Sequence, residues 1–197
     1  MKKIIIGTLV GTIIYFGFQS VMWMGGFHKD FYNYAPRQDT VMKALTANLP
    51  GEGLYMMPMS DPKSPDFKTQ QEKLEKKMVG NPWAMIFYHP KMNDFSVSYL
   101  LKGIMHALIG ALLVSLVLYY SRFPGFLQRF LVSMAFAVFT LVLSTFSNMN
   151  WWSFPWSFVK TEVSDLVFGW GLCSVWLAWF VKVEKRDALR VTRDVNF

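Results

Sequence analysis

Residues 95–120 read FSVSYLLKGIMHALIGALLVSLVLYY. Lys102 and His106, one helical turn apart, are the sole basic side chains in this run, and it holds no acid. A water-soluble surface helix of this length would carry a polar face. This one is apolar all round and exceeds the roughly 20 residues needed to cross a hydrocarbon core. Comparable runs occupy 4–24, 126–147 and 163–181. The whole chain of 197 residues is 53% hydrophobic and 17% charged, against about 25% charged in soluble domains. Its mean hydropathy is +0.25. These features predict an all-α integral membrane protein, a four-transmembrane-helix bundle.

The first run has the basic start of a signal peptide, Lys2 and Lys3. It continues as a long apolar stretch into bulky QSVMWMGG with no small-x-small cleavage site, so a retained helix is expected. The single cysteine, Cys173, excludes a disulfide framework and thiolate metal clusters. The net charge of +7 is not gathered into a basic stripe, which argues against nucleic acid as a partner.

Charge placement orients the spans. Lys2, Lys3, Arg122, Arg129, Lys182, Lys185, Arg186, Arg190 and Arg193 flank the runs on one side if both termini are inside. The positive-inside tendency then predicts an N-in, C-in topology. The expected layout is helix 1 over 1–24, an extracytoplasmic domain over 25–94 and helix 2 over 95–120. A cytoplasmic turn at 121–125 leads to helix 3 over 126–147. An outer aromatic loop at 148–162 leads to helix 4 over 163–181, and a basic cytoplasmic tail spans 182–197. The long loop nearly balances its basic and acidic residues, and long loops translocate largely regardless of charge. Trp23, Trp151, Trp152 and Trp156 suit the membrane interface, where amphipathic rings gather. Pro155 should keep NWWSFPWSF from forming a regular helix. The MKK start and compact tail suggest a bacterial inner membrane.

Within 25–94 the pattern predicts a small α+β unit. DTVMKALTANLP reads as a short helix, capped by Asp39 or Thr40 and ended by Pro50. SPDFKTQQEKLEKKMVG reads as a second, with Ser64 as N-cap, Pro65 in the first turn and Gly80 at the C-terminal turn. GLYMMPM at 53–59 and WAMIFYH at 83–89 read as strands able to pair, with the second helix between them. Their apolar residues exceed what so small a unit hides by itself, so cover by a partner is expected.

Small residues mark helix contacts in lipid, because they let backbones approach closely. Gly103, Ala107 and Ala111 form such a row in helix 2, and Gly7 and Gly11 a GxxxG pair in helix 1. Lys102 and His106 lie about 100° from the row and are expected to point into the bundle. Helix 2 starts at Asp94 or Ser96, so His106 falls near the middle of the membrane, where a polar group needs a partner. Helix 4 starts near Glu162 and Asp165, and helix 3 offers Thr140 and Ser144. The expectation is a polar cluster in the outer half: Lys102 with Asp165 or Glu162, and His106 with Ser144 or Thr140. Its role is register-fixing or, second, a ligand or proton site.

Met56, Met57, Met59, His28 and His89 share the outer side. Thioethers suit Cu(I), but Met also fills irregular apolar gaps, and no His-x-His or repeated Met-x-x-Met spacing favours the metal. No GxSxG, HExxH or phosphate-cradling loop occurs, and no cofactor is implied. The layout resembles claudin-type junction proteins in topology alone; their Trp-Gly-Leu-Trp signature and cysteine pair are missing, so no functional residue carries over. The expected function is non-catalytic: a subunit, assembly factor or interaction protein of a membrane complex, contacting other subunits or its own copies through the outer domain. The alternative is an oligomeric channel, a carrier or a small-ligand-binding membrane protein. A membrane enzyme or Cu(I)-binding protein comes last.

Overall fold

The computed structural model describes residues 1–92 and 97–182. The expected helix start at Asp94 or Ser96 and the tail cations Lys185, Arg186, Arg190 and Arg193 lie outside the described residues. The chain divides into two compact units, one formed by 1–33 with the segment from 97 on, the other by 34–92.

The first unit is helical. Helix α1 spans Lys2–Met24. Past the second unit's α2 (Gln38–Asn48) and α3 (Phe67–Met78) come α4 (Val97–Ser121), α5 (Phe126–Trp152) and α6 (Trp156–Phe180). By length and composition α1, α4, α5 and α6 are candidate membrane spans. Helix α6 lies between α1 and α5, and α1 also packs along α4. The shared core is Val114, Leu118, Ala137, Trp170, Cys173, Leu177 and Val181. Most other large apolar side chains of the four spans are exposed, as expected of surfaces that face lipid.

Two expected boundaries change. The expected loop at 148–162 is mostly helix: α5 continues through Trp152 and α6 begins at Trp156, leaving 153–155 as the connection. A polar stretch such as Lys160-Thr161-Glu162 ends a hydropathy window but does not end a helix. The backbone break comes from Ser153, in the left-handed region at φ 52°, and from Pro155, whose extended backbone precedes the first turn of α6. The start of the expected outer domain, 25–33, belongs with the helices. Gly26 turns there with φ +74°, a conformation that glycine adopts without a Cβ penalty. A short 3-10 turn, Lys29–Phe31, follows, and Phe31 packs its ring on Phe158 of α6 with centroids 5.4 Å apart.

One end of the bundle is closed by Arg129. Its guanidinium is buried and donates to the Ala178 carbonyl at 2.7 Å, to Phe123 at 2.7 Å and to Pro124 at 3.0 Å. Ala178 lies in the last turn of α6, where carbonyls lack helical partners and the helix dipole favours a cation. At the same end Lys3 Nζ donates to the Lys182 carbonyl at 2.9 Å.

The second unit is α+β, as the pattern predicts. Strands β1 (Gly53–Met57) and β2 (Ala84–Tyr88) pair antiparallel, Gly53 opposite Tyr88 and Met57 opposite Ala84. The connection between them contains α3. Helix α2 starts at Gln38, just before the expected Asp39 or Thr40 cap. Helix α3 starts at Phe67 with Asp66 as N-cap, two residues past the expected Ser64. Ser64 instead takes part in the preceding turn, its carbonyl accepting from Phe67 N–H and its hydroxyl from Gln70 Nε2. Gly80 turns at φ +81° after α3. Tyr88 is the one buried residue among those described in 34–92; its hydroxyl donates to Thr46 Oγ1 of α2 at 3.4 Å.

Candidate functional site

The first-unit polar cluster is built around Asp165, and its partners differ from the expected ones. Asp165 is 5% exposed and sits at the start of a π-helical segment, Asp165–Gly169, within α6. Such bulges shift the facing of a helix and are frequent at functional sites. His28 is 8% exposed, and its Nε2 lies 2.9 Å from Asp165 Oδ1. Gln19 of α1 donates through Nε2 to Asp165 Oδ2 at 3.3 Å and to the Tyr15 hydroxyl oxygen at 3.4 Å. Glu162, half-buried, lies one turn before Asp165 and within electrostatic reach of Asp165 and His28. Trp23 covers His28 edge-on with ring centroids 5.1 Å apart. Lys160 reaches Asp30 at 3.3 Å on the same rim.

Lys102 therefore does not pair with Asp165 or Glu162. It is exposed, and its ammonium lies 5.5 Å from the Tyr99 ring centroid. The cause is the facing of α4: Gly103, Ala107 and Ala111 do face α1, but the 100° offset leaves both Lys102 and His106 exposed rather than pointing into the bundle, and a long side chain such as Lys102 can snorkel. Ser144 is also exposed, in the π-helical segment Leu141–Phe146, and does not meet His106. His106 and Thr140 do share one cavity, although Thr140 Oγ1 donates to the Phe136 carbonyl at 2.9 Å rather than to His106.

That cavity measures about 210 Å³. Tyr15, His106, Gly110, Phe136, Thr140 and Trp170 contribute to its wall. Trp170 is fixed by its Nε1–H, donated to the Ser133 carbonyl at 3.0 Å, and by an edge contact with Tyr15 at 5.4 Å. So Tyr15 lines the cavity, and its hydroxyl oxygen accepts from Gln19, which also donates to Asp165.

The small residues sit at tight helix contacts. A Cβ on Gly7 would meet Val181 at 2.6 Å, and one on Gly11 would meet Cys173 at 3.2 Å, Leu177 at 3.3 Å and Ala111 at 3.5 Å. A Cβ on Gly103 would meet Phe16 at 3.1 Å, and Ala107 and Ala111 are buried. Trp151, Trp152 and Trp156 are exposed around the α5–α6 connection, and Trp23 is partly exposed.

The weak copper set divides between the two units. His28 is committed to Asp165 in the first unit. His89 Nδ1 faces Glu52 at 3.3 Å in the second. Met56 and Met57 point to opposite faces of β1, as neighbours in a strand must, and Met59 lies beyond it, exposed. Among the described residues no group of three His, Cys, Asp or Glu could hold a metal ion.

Sequence reasoning missed His28 as the partner of Asp165. The available signal was Gly25-Gly26 directly after the first apolar run, which lets the chain fold back within four residues of the helix end. Compared with family models, with curated proteins and with solved structures, the chain finds no match in any of the three.

Proposed function

We propose that the protein is a non-catalytic multi-pass membrane protein that joins another membrane-protein subunit through its second unit. In this reading both termini are cytoplasmic and residues 34–92 lie outside, as the cations Lys2, Lys3, Arg122 and Lys182 at one end of the spans support. A bacterial inner membrane is the setting proposed.

The carrying observation is an uncovered sheet face. Opposed residues of an antiparallel pair share a face. Leu54 opposes Phe87 and Met56 opposes Met85. Leu54 is 56% exposed and Phe87 65% exposed, and Trp83, two residues before Met85, is exposed beside them. Behind this face the described part of the unit buries Tyr88 alone, so it has little core of its own. Among the described residues the two strands also have no third strand beside them. Open strand edges need hydrogen-bonding partners, which acyl chains cannot supply. A protein partner satisfies both the edge and the apolar face.

The test is the mass and composition of the particle after mild solubilisation from its native membrane. The reading expects a second protein in fixed ratio, lost when Leu54→Glu and Phe87→Glu are combined. A homogeneous single-species particle, unchanged by those substitutions, would sink it.

A further inference from the structure

We infer that the 210 Å³ cavity between α1, α4, α5 and α6 is a binding site for the ring head of a bilayer-soluble quinone. The inference goes beyond the subunit reading and does not depend on it.

Depth comes first. His106 lies nine residues into α4 and Tyr15 nine residues from the end of α1, each about 14 Å along its helix at 1.5 Å per residue. Phosphate headgroups do not reach that depth, and a ligand found there must be lipid-soluble. Polarity comes second. His106 sits at the exposed mouth of the cavity and makes no hydrogen bond or ion pair among the described residues, and an unpaired imidazole at that depth is costly whether it faces lipid or the cavity. The Tyr15 oxygen accepts from Gln19, so its own proton is left over and has no acceptor among the described residues. An unpaired imidazole and an unspent phenol proton therefore belong to residues that line one largely apolar cavity. A neutral ligand with two oxygen acceptors answers both, whereas an acyl chain answers neither.

Size and shape agree. A protein cavity of about 150 Å³ accepts one benzene ring, and drug-sized pockets start at roughly 300 Å³. A cavity of 210 Å³ fits one substituted six-membered ring. Its aromatic walls, Trp170 and Phe136, suit a flat ring, and Trp170 is held in place by Ser133 before any ligand arrives. One carbonyl accepts from Tyr15 O–H and the other from an N–H of His106, with the isoprenoid tail leaving toward lipid. Thr140, whose hydroxyl is spent on its own helix, contributes shape.

The experiment is equilibrium binding of a radiolabelled decyl para-benzoquinone to the protein in lipid nanodiscs, with empty nanodiscs subtracted. Saturable one-site binding is expected. Tyr15→Phe and His106→Leu should each weaken it about tenfold, the value of one hydrogen bond. Gly110→Ala should weaken it by narrowing the slot; a Cβ there meets Trp170 at 3.8 Å, ordinary contact, so the bundle accepts the change. Uptake that only partitions, or saturable uptake indifferent to all three substitutions, overturns the inference. A second readout uses the unaltered chain: saturating quinone should slow modification of His106 by diethyl pyrocarbonate at least fivefold, read by peptide mass spectrometry. An unchanged rate overturns it equally.

Discussion

His28, four residues beyond the end of α1, places its Nε2 2.9 Å from the buried Oδ1 of Asp165 in α6. The contact ties the chain leaving the first span to the fourth. Removing one partner strands the other in an apolar setting, which typically costs about 3–5 kcal/mol for a buried pair. His28→Leu is expected to lower the denaturation midpoint in mild detergent by on the order of 10 °C. Combining it with Asp165→Leu should recover much of that loss, because an apolar pair leaves no buried charge unpaired. Lys102→Met should shift the midpoint little, within about 0.5 kcal/mol. Equal losses for Lys102→Met and His28→Leu would restore the Lys102–Asp165 pairing that spacing suggests.

Arg129 is the second polar fixture, at the other end of α6. Arg129→Met leaves the Ala178, Phe123 and Pro124 carbonyls without their donor. Hydrogen bonds from charged groups contribute about 1.5–3 kcal/mol each, so a loss of at least 3 kcal/mol is expected in thermal or denaturant unfolding. Arg129→Lys should rescue little of it, because one ammonium cannot reproduce the spread of a guanidinium fork. Full rescue by lysine would mean that the charge alone, and not the three-carbonyl geometry, sets the stability.

The spans were legible because crossing a membrane needs a length of apolar helix that few other structures require. The β1–β2 pairing was legible from two aromatic and branched runs bounded by Gly and Pro. The site was half legible. Asp165 stood out as an acid in a span, yet its partner came from a turn, and no periodicity reports where a turn folds back. Lys102 misled for a different reason. A residue 100° from a packing row can fall on either side of it, and only the neighbouring helix decides which. The stretch 148–162 was misread because hydropathy marks where lipid ends rather than where a helix ends.

Close packing makes the glycines a graded series. Gly7→Ala drives a methyl to 2.6 Å from Val181, itself fully buried. Overpacking of this kind costs about 1–3 kcal/mol. Gly11→Ala, with contacts at 3.2 Å and beyond, should cost less. Gly171→Ala meets nothing within 4 Å and should be neutral or stabilising, since alanine favours helix over glycine by up to about 1 kcal/mol. Melting midpoints in one detergent check the order. A reversal, with Gly171→Ala the worst, would show that the α1–α6 approach is not as close as described.

Cys173, fully buried, gives a direct check of orientation. In a Cys173→Ala background, Lys73→Cys in α3 and Ser121→Cys at the end of α4 place single thiols on exposed residues. A membrane-impermeant maleimide added to intact cells should label Lys73→Cys and spare Ser121→Cys until the membrane is opened. The opposite pattern would invert the proposed topology and leave the helix packing untouched.

The two units should also fail separately. Tyr88 is the buried residue of 34–92 and bridges β2 to α2 through Thr46. Tyr88→Ala removes a ring that also packs edge-on with Tyr55 at 6.4 Å, and truncating a buried aromatic costs about 3–5 kcal/mol. A unit with so little other burial does not absorb that loss. Limited proteolysis should then cut within 34–92 much faster than in the unaltered protein, while the 1–33 and 97–182 parts keep their melting midpoint. Tyr88→Phe keeps the ring and loses a 3.4 Å hydrogen bond, so its cleavage rate should stay near that of the unaltered chain. If Tyr88→Ala instead lowered the midpoint of the helical part to the same degree, the units would share one folding transition and the independence of 34–92 would be wrong.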